Sequence, residues 1–346
     1  MSPAIPQVRL RRTPQGTPQE DDFELAEAPL DAAVITNGHV HVRVLALSLD
    51  PYLRSAMAGR HLSAPILPGE VVRGEGLVEV IRSSHPRMAP GSRWVAACGW
   101  QTETLLDEAQ VAQARPVAAD LQPPTLALGV MGMPGLTAWA GLRLLAGLPA
   151  SGGEGRTVLV SAASGPVGST VGQLARASGC RVVGIAGGPD KCRWVREQAG
   201  FDACIDHRQA DLRSALKLHC PQGIDVYFDN VGGDVLQAAC EQLALQAQVV
   251  LCGLISQYGA AAPAGPNPGL FIRARATVRG LVVYDHWRRL PEAQAEIGRL
   301  IAEGRFAVRE DLSHGLAAAP AAFCRLMRGE NQGKALVLLQ PWRTEP

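Results

Sequence analysis

The hydrophobic pattern of the chain changes its period partway along. From His39, "HVHVRVLALSLDPY" alternates Val40, Val42, Val44 and Ala46 against polar or intermediate residues, the mark of a half-buried strand. "EVVRGEGLVEVI" and "GSRWVAACGW" follow, short and punctuated by glycine, so the chain to about residue 122 predicts a compact all-β unit. Helical spacing begins near Thr125, and Pro134 interrupts it at "GMPG". Beyond that point strands and helices alternate. Strands are predicted over Thr157–Ser161, Arg181–Ala186, Ala203–Asp206, Ile224–Asp229, Val249–Gly253 and Thr277–Val283. Helices are predicted near Val167, Pro189, Gln209 and Gly233, with another in "PEAQAEIGRLIAEG". Such alternation predicts an α/β architecture, a parallel sheet with helices on both faces. The tail ends in an apolar strand, Ala335–Leu339, able to return to the first domain. The expected division is 1–122 completed by 307–346, and 123–306. "AAAPAGPNPG", from Ala260, is suited to a mobile lid or edge and equally to a plain loop.

At 346 residues, 47% of them hydrophobic, the chain has room for two ordinary cores. A formal net charge of +1 removes the electrostatic case for a nucleic-acid partner. The eight cysteines are scattered with no CxxC pair, which predicts a reduced compartment and no disulfide framework. No apolar core of signal-peptide length opens the sequence and no run is long enough to span a bilayer. The expectation is a soluble cytoplasmic protein with no membrane partner.

The candidate chemistry begins at "SAASGPVGSTVG". The turn follows a strand and opens a helix, the context a dinucleotide fingerprint requires. A pyrophosphate needs bare backbone at the turn and free N–H groups at the helix start. Gly165 and Gly168 admit that approach, and Gly172 lets the helix pack closely. The spacing is A-x-x-G-x-x-G; alone it also fits a structural turn. After the second strand, where an acid would grip the ribose 2′-hydroxyl of NAD, stand Gly187 and Gly188. Lys191 offers an ammonium to a phosphate, and Arg193, His207 and Arg208 are near in sequence. The balance favours NADP(H) as cofactor, with the Asp190 carboxylate as a local objection and a solvated Lys191 as the plain alternative.

These stretches, with "DPYLRSAM", "GMPGLTAW", "FDNVGG", "CGLISQY" and "NQGKALV", resemble the zinc-independent medium-chain dehydrogenases/reductases. Within them the likeness is to the alkenal double-bond reductases that include prostaglandin reductase and leukotriene B4 12-hydroxydehydrogenase. It runs from about Leu49 to Val337. The resemblance implies a GroES-like β-rich catalytic domain and a Rossmann doubly wound parallel-sheet domain, with NADP(H) in the cleft between them. Residue by residue, Gly165, Pro166, Val167 and Gly168 match the phosphate turn. Gly188 and Lys191 match the 2′-phosphate site, where His207 stands in place of the family's tyrosine. A neutral imidazole still hydrogen-bonds phosphate and a charged one binds it better, so affinity is expected to depend on pH. Asn230 matches a cofactor-contacting amide, and Cys252, Gly253, Ile255, Ser256 and Tyr258 match the loop along the nicotinamide riboside. Leu281, Val282 and Val283 match the main-chain clamp on the carboxamide. Asn331 matches a late cofactor contact, and Met133 and Thr137 match residues beside the nicotinamide. Gly259 departs from the family's asparagine. The resemblance also implies that "ATVRGLVVYD" pairs across a two-fold axis, hence a homodimer; an edge covered by the chain's own tail is the alternative.

A zinc enzyme of the same superfamily would need Cys and His ligands in the first domain. The stretch reads "LPGEVV", with Gly69 before Glu70 where that superfamily's histidine would stand, and Cys98 is the only cysteine before residue 180. His39 and His41 share a strand face and fit a solvated edge better than a metal site. No metal is expected. Without a Lewis acid, an activated C=C is an easier hydride acceptor than a ketone, because its carbonyl spreads charge into an enolate that a hydrogen-bond donor can stabilise. Tyr258 is the best placed donor, with a ribose contact as its alternative, and Tyr52 is a candidate substrate wall. The expected activity is NADPH-dependent reduction of α,β-unsaturated aldehydes or ketones. A quinone reductase and a non-catalytic NADPH-binding protein are the alternatives, and loops around Tyr52, His61 and Pro263 do not report the substrate.

Overall fold

The computed structural model describes residues 4–30, 39–258 and 265–340. The chain divides into two compact units, Met1–Leu128 with Glu310–Pro346, and Gly129–Arg309.

The first unit contains β1 (Ala4–Leu10), β2 (Phe23–Pro29), β3 (Val40–Ser48), α1 (Tyr52–Met57), β4 (Glu75–Ser83) and β5 (Arg93–Ala97). β6 (Glu103–Leu106), α2 (Glu108–Gln113) and β7 (Arg115–Pro116) follow. The second unit contains α3 (Met133–Trp139), β8 (Thr157–Ser161), α4 (Pro166–Ala177), β9 (Arg181–Ala186), α5 (Pro189–Glu197) and β10 (Ala203–Asp206). It continues through α6 (Leu212–His219), β11 (Ile224–Asp229), α7 (Gly233–Cys240), β12 (Leu243–Leu251), α8 (Pro268–Ala274), β13 (Thr277–Gly280) and α9 (Leu290–Ala302). The chain then returns to the first unit as β14 (Glu310–His314), α10 (Ala319–Met327) and β15 (Lys334–Leu338).

A seven-stranded sheet in the order β14-β15-β3-β4-β5-β7, with β6 also on β3, builds the first unit. β3 is its centre, and this alters the expected half-buried pattern. Val40, Val42, Val44 and Leu47 enter one apolar cluster, while Leu45 and Ala46 enter another. The register against β4 slips between Val44 and Ala46, a bulge that moves the alternation by one residue. The unit is also not all β. α2 has a legible signal, since Asp107 accepts from the Gln110 N–H and the Gln110 side chain accepts from the Asp107 N–H. His41 is not on a solvated edge: it is buried, with Nε2 2.9 Å from the Glu103 carboxylate.

The returning strand is tied to the start of α1 by a buried ion pair. Lys334 Nζ donates to the Leu49 carbonyl at 3.0 Å and to Asp50 Oδ1 at 2.6 Å, and Ser48 donates to Asp50 Oδ2 at 2.5 Å. Burying such charges is costly unless they are paired and hydrogen-bonded, as these are.

The second unit is a parallel six-stranded sheet in the order β10-β9-β8-β11-β12-β13. In chain order that is 3-2-1-4-5-6, the doubly wound arrangement whose switch point lies between β8 and β11. Leu159, Val183, Ile205, Tyr227 and Val249 face one way, joined by Leu216, Leu236 and Ala274 from α6, α7 and α8. Gly184 faces the other way, towards Val195 of α5.

Several boundaries differ from expectation. Pro134 lies in the first turn of α3 rather than interrupting a helix, because its missing N–H costs nothing there. Gly135 is required there: a Cβ on it would lie 1.7 Å from the Val130 carbonyl oxygen. α6 starts at Leu212, capped by Asp211, and Gln209 sits in the preceding turn. β12 begins at Leu243, ahead of Val249, and β13 stops at Gly280, leaving Leu281 and Val282 outside the ladder. Gly259 and the first half of the "AAAPAGPNPG" loop, Pro263 included, lie outside the described residues.

Candidate functional site

The carboxyl ends of the parallel strands gather most of the expected residues. At the end of β8, Ala162 takes a left-handed φ of 49°, a conformation costly for a residue with a Cβ. Its carbonyl accepts the Gly165 N–H at 2.9 Å. Gly165 caps α4 with extended backbone and Pro166 follows at the first position, so Val167 and Gly168 present the N–H groups of the opening turn. A Cβ on Gly168 would meet the Ala162 carbonyl oxygen at 2.4 Å, which reserves this position for glycine. Gly172 abuts the Phe201 ring, not a strand, and a Cβ there would fall 1.8 Å from its Cζ. The turn is thus bare, closely packed and electropositive, the form an anion requires.

A basic corner forms where β9 and β10 end. Gly188, at φ 100°, caps α5 and donates to Asp206 Oδ1 at 2.9 Å; the same oxygen accepts the Arg208 N–H at 3.0 Å. The acid missing from the end of β9 therefore stands at the end of β10, where it fixes the corner. A Cβ on Gly187 would lie 2.9 Å from His207 Nε2 and 3.0 Å from Arg208 Nε, so both side chains converge on that glycine. Lys191 is buried on the first turn of α5. Burial, then the neighbouring Arg208, hold the His207 imidazole below its ordinary pKa and hence neutral at pH 7. Asp190 is not an obstacle at this corner in the way its sequence position implied: Arg193 pairs with it at 3.1 Å on an exposed face. Sequence reasoning noted Arg208 only as a neighbour and missed Asp206; their convergence depends on the parallel pairing of β9 with β10.

The switch point is organised by Asp229, also missed. This fully buried carboxylate accepts from Ser161 Oγ at 2.9 Å, Tyr227 Oη at 2.6 Å and the Val231 and Gly232 N–H groups. Ser161 in turn receives the Asn230 N–H, and the Asn230 amide donates to the Ser161 carbonyl at 2.8 Å. The N–H groups of Cys252 and Gly253 reach the Asp229 carbonyl. Ser256 donates to the Val231 carbonyl at 2.5 Å, which secures the single turn Ile255–Gln257. Tyr258 follows, half-buried, and burial pushes its phenol above the usual range, leaving it a protonated donor at neutral pH. The Leu281 N–H reaches the Leu251 carbonyl at 2.9 Å, placing Leu281, Val282 and Val283 just past β13. Met133 opens α3 and its carbonyl accepts from Thr137 Oγ1 at 2.7 Å.

Tyr52 and Asn331 belong to the other unit. Tyr52 opens α1, its ring stacked on His61 at 4.9 Å. Asn331 is buried and donates to the Gly333 carbonyl at 2.7 Å. Among the described residues, no three His, Cys, Asp or Glu side chains are grouped so as to hold a metal ion. Cys98 is buried, its thiol pushed up to about 12 by that burial, and Glu70 accepts from the Leu67 N–H beside Gly69.

Residues 6–114 match the model of the N-terminal domain of oxidoreductases, and residues 166–299 that of zinc-binding dehydrogenases. The NADPH-dependent curcumin reductase of Escherichia coli is 39% identical, over 95% of each chain. Prostaglandin reductase 1 of Bos taurus is 36% identical, over 93% of this chain and 95% of its own. Among solved structures, CurA from Vibrio vulnificus in complex with NADPH superposes with a TM-score of 0.90 at 37% identity, covering 97% of this chain and 100% of that one. The fold is that of a medium-chain oxidoreductase, a GroES-like β-rich unit and a Rossmann unit. This chain belongs to the zinc-independent medium-chain dehydrogenases/reductases, as an NADPH-dependent reductase.

Proposed function

We propose that this protein reduces the activated C=C bond of α,β-unsaturated aldehydes and ketones with NADPH. The observation that carries the cofactor half is the corner at Gly187, where His207 and Arg208 converge and the Lys191 charge acts on His207. Gly165, Val167 and Gly168 would take the pyrophosphate on the first turn of α4, and Lys191, His207 and Arg208 the 2′-phosphate. Asn230, the Cys252–Tyr258 segment, Leu281–Val283, Met133 and Thr137 would hold the nicotinamide half. The bound nicotinamide supplies a hydride, delivered to the β-carbon of the substrate.

The chain's own contribution is placement and a proton. The Tyr258 phenol, kept protonated by burial, donates to the oxygen of the developing enolate or passes its proton to the α-carbon through water. The 2-alkenal reductase of Nicotiana tabacum, 34% identical over 96% of this chain and 97% of its own, supports an alkenal as the substrate. The deciding experiment is a panel of enals, enones and quinones with NADPH, the products identified by NMR. A saturated ketone or aldehyde is the expected product. Turnover confined to quinones, giving hydroquinones, would make it a quinone reductase, and no NADPH oxidation with any of them would leave a non-catalytic binder.

The exposed edge strand β13 supports a homodimer joined along that edge. Light scattering should give twice the chain mass; a monomer mass independent of concentration argues for a single chain. The eight free cysteines support a reducing compartment, the cytoplasm. No described helix is long and apolar enough to cross a membrane.

A further inference from the structure

Asp229 closes β11 and Ser161 closes β8, the two strands that flank the switch point. Asp229 is fully buried and, among the described residues, no Lys, Arg or His forms an ion pair with it. Its oxygens meet only donors. Oδ1 accepts from Tyr227 Oη at 2.6 Å, from Ser161 Oγ at 2.9 Å, and from the Val231 and Gly232 N–H groups at 3.1 Å each. Oδ2 has one contact, the same Gly232 N–H at 3.0 Å. Burial, and then the Asp229 charge, hold the Tyr227 phenol well above its usual range, so the tyrosine keeps its proton and the carboxylate its charge.

Holding the loop does not require that charge. An asparagine with its amide oxygen in the place of Oδ1 would accept the same four donors, and its NH2 would lose only the shared Gly232 contact. Burying an anion without a cation is costly. The carboxylate therefore adds one thing that an amide would not, a fixed negative charge. That charge is felt along the neighbouring loop, where the Cys252 thiol is pushed up to about 12 by burial and then by Asp229. Cys252 opens the segment to Tyr258 that would hold the nicotinamide half, and Asn230, of the same assignment, directly follows Asp229.

We propose that the buried charge of Asp229 shifts the bound cofactor towards its oxidised form, favouring NADP+ over NADPH more than a neutral side chain would. This rests on the assignment of Asn230 and Cys252–Tyr258 to the nicotinamide half. In the reduction the C4–H bond of the dihydronicotinamide breaks, and its electron pair leaves with the hydrogen as hydride. The hydride forms a C–H bond on the β-carbon, a proton completes the product at the α-carbon, and the ring goes from neutral to +1. The phosphates carry the same charge in both forms, so any repulsion between them and Asp229 cancels from the ratio of affinities. What remains is the attraction of the carboxylate for the cationic ring. With no exposed surface, Asp229 acts through space rather than by contact.

The test measures NADPH and NADP+ dissociation constants on the full chain, by fluorescence and calorimetric titration. Asp229→Asn should raise the ratio Kd(NADP+)/Kd(NADPH) at least about fivefold, the low end of coupling between sites. At about 30 mV per tenfold for a two-electron couple, the bound potential then rises by about 20 mV. Tyr227→Phe removes the shortest donor and leaves the charge less screened, so it should lower the ratio instead. A merely structural Asp229 would weaken both forms alike. Where Asp229→Asn folds, an unchanged or lowered ratio overturns the proposal. Where it does not fold, a ratio that Tyr227→Phe fails to lower does so, since Phe suits the same apolar cluster. Asn230→Ala separates the two readings. If it leaves both dissociation constants unchanged, the nicotinamide assignment fails and the proposal with it. If it weakens both while Asp229→Asn keeps the wild-type ratio, only the role of the charge fails.

Discussion

Replacing Lys191 with alanine removes an ammonium from a corner where it is only 9% exposed, so water replaces it poorly. A hydrogen bond to a charged group contributes about 1.5–3 kcal/mol, and each 1.4 kcal/mol is tenfold in affinity. Loss of the contact should therefore weaken NADPH by about 10- to 150-fold. Arg208 faces the same glycine and keeps part of the positive potential, which places the single substitution in the lower half of that range. Lys191→Ala combined with Arg208→Ala should cost more than the sum of the two single changes, because each cation then no longer covers for the loss of the other. NADH carries no 2′-phosphate and should bind Lys191→Ala as it binds wild type, which also controls for misfolding. Calorimetric titration with both cofactors decides the matter. Equal losses for NADPH and NADH, or no loss for either, would refute the assignment of Lys191 to the 2′-phosphate.

His207, neutral at pH 7 because burial and then Arg208 depress its pKa, should gain a proton when phosphate binds, so NADPH affinity should rise as pH falls through and below the usual histidine range. The slope is read as wild type minus His207→Gln, since the phosphate itself titrates near pH 6; identical slopes would remove His207 from the site. Tyr258→Phe should lower kcat by about 10²–10⁴-fold with NADPH affinity little changed. A raised NADPH Kd with intact single-turnover hydride transfer would instead make the tyrosine a ribose contact. Because burial raises the Tyr258 pKa, wild-type activity should not fall through deprotonation of this group until pH passes above the ordinary tyrosine range. Chelator treatment should leave turnover intact and elemental analysis should find no stoichiometric zinc, whereas activity lost to chelator and restored by zinc would contradict the inference from Gly69 and Cys98.

The strands of the second unit were legible because most run apolar, and β8, β9, β10 and β11 have the predicted limits. Their ends were less so. β13 was overextended through Leu281, Val282 and Val283, apolar residues whose release from the ladder after Gly280 carries no local signal. Lys191 could be picked out by the acid-free glycines before it. Asp206 and Asp229 could not, since a carboxylate closing a strand looks the same whether it meets a ligand or, as here, backbone N–H groups of neighbouring loops. In the first unit the period-two pattern hid a bulge in β3, and α1 is too short to have a helical period of its own.

The ion pair of Lys334 with Asp50 has a consequence for synthesis on the ribosome. The carboxylate is made early, and its ammonium partner arrives nearly three hundred residues later, on β15. Until then Asp50 cannot enter the interior as a charge without the ammonium it needs there. The second unit has no such debt, since Gly129–Arg309 is continuous in the chain. The later-encoded unit can thus finish folding while the first waits, open, for the last strand to emerge.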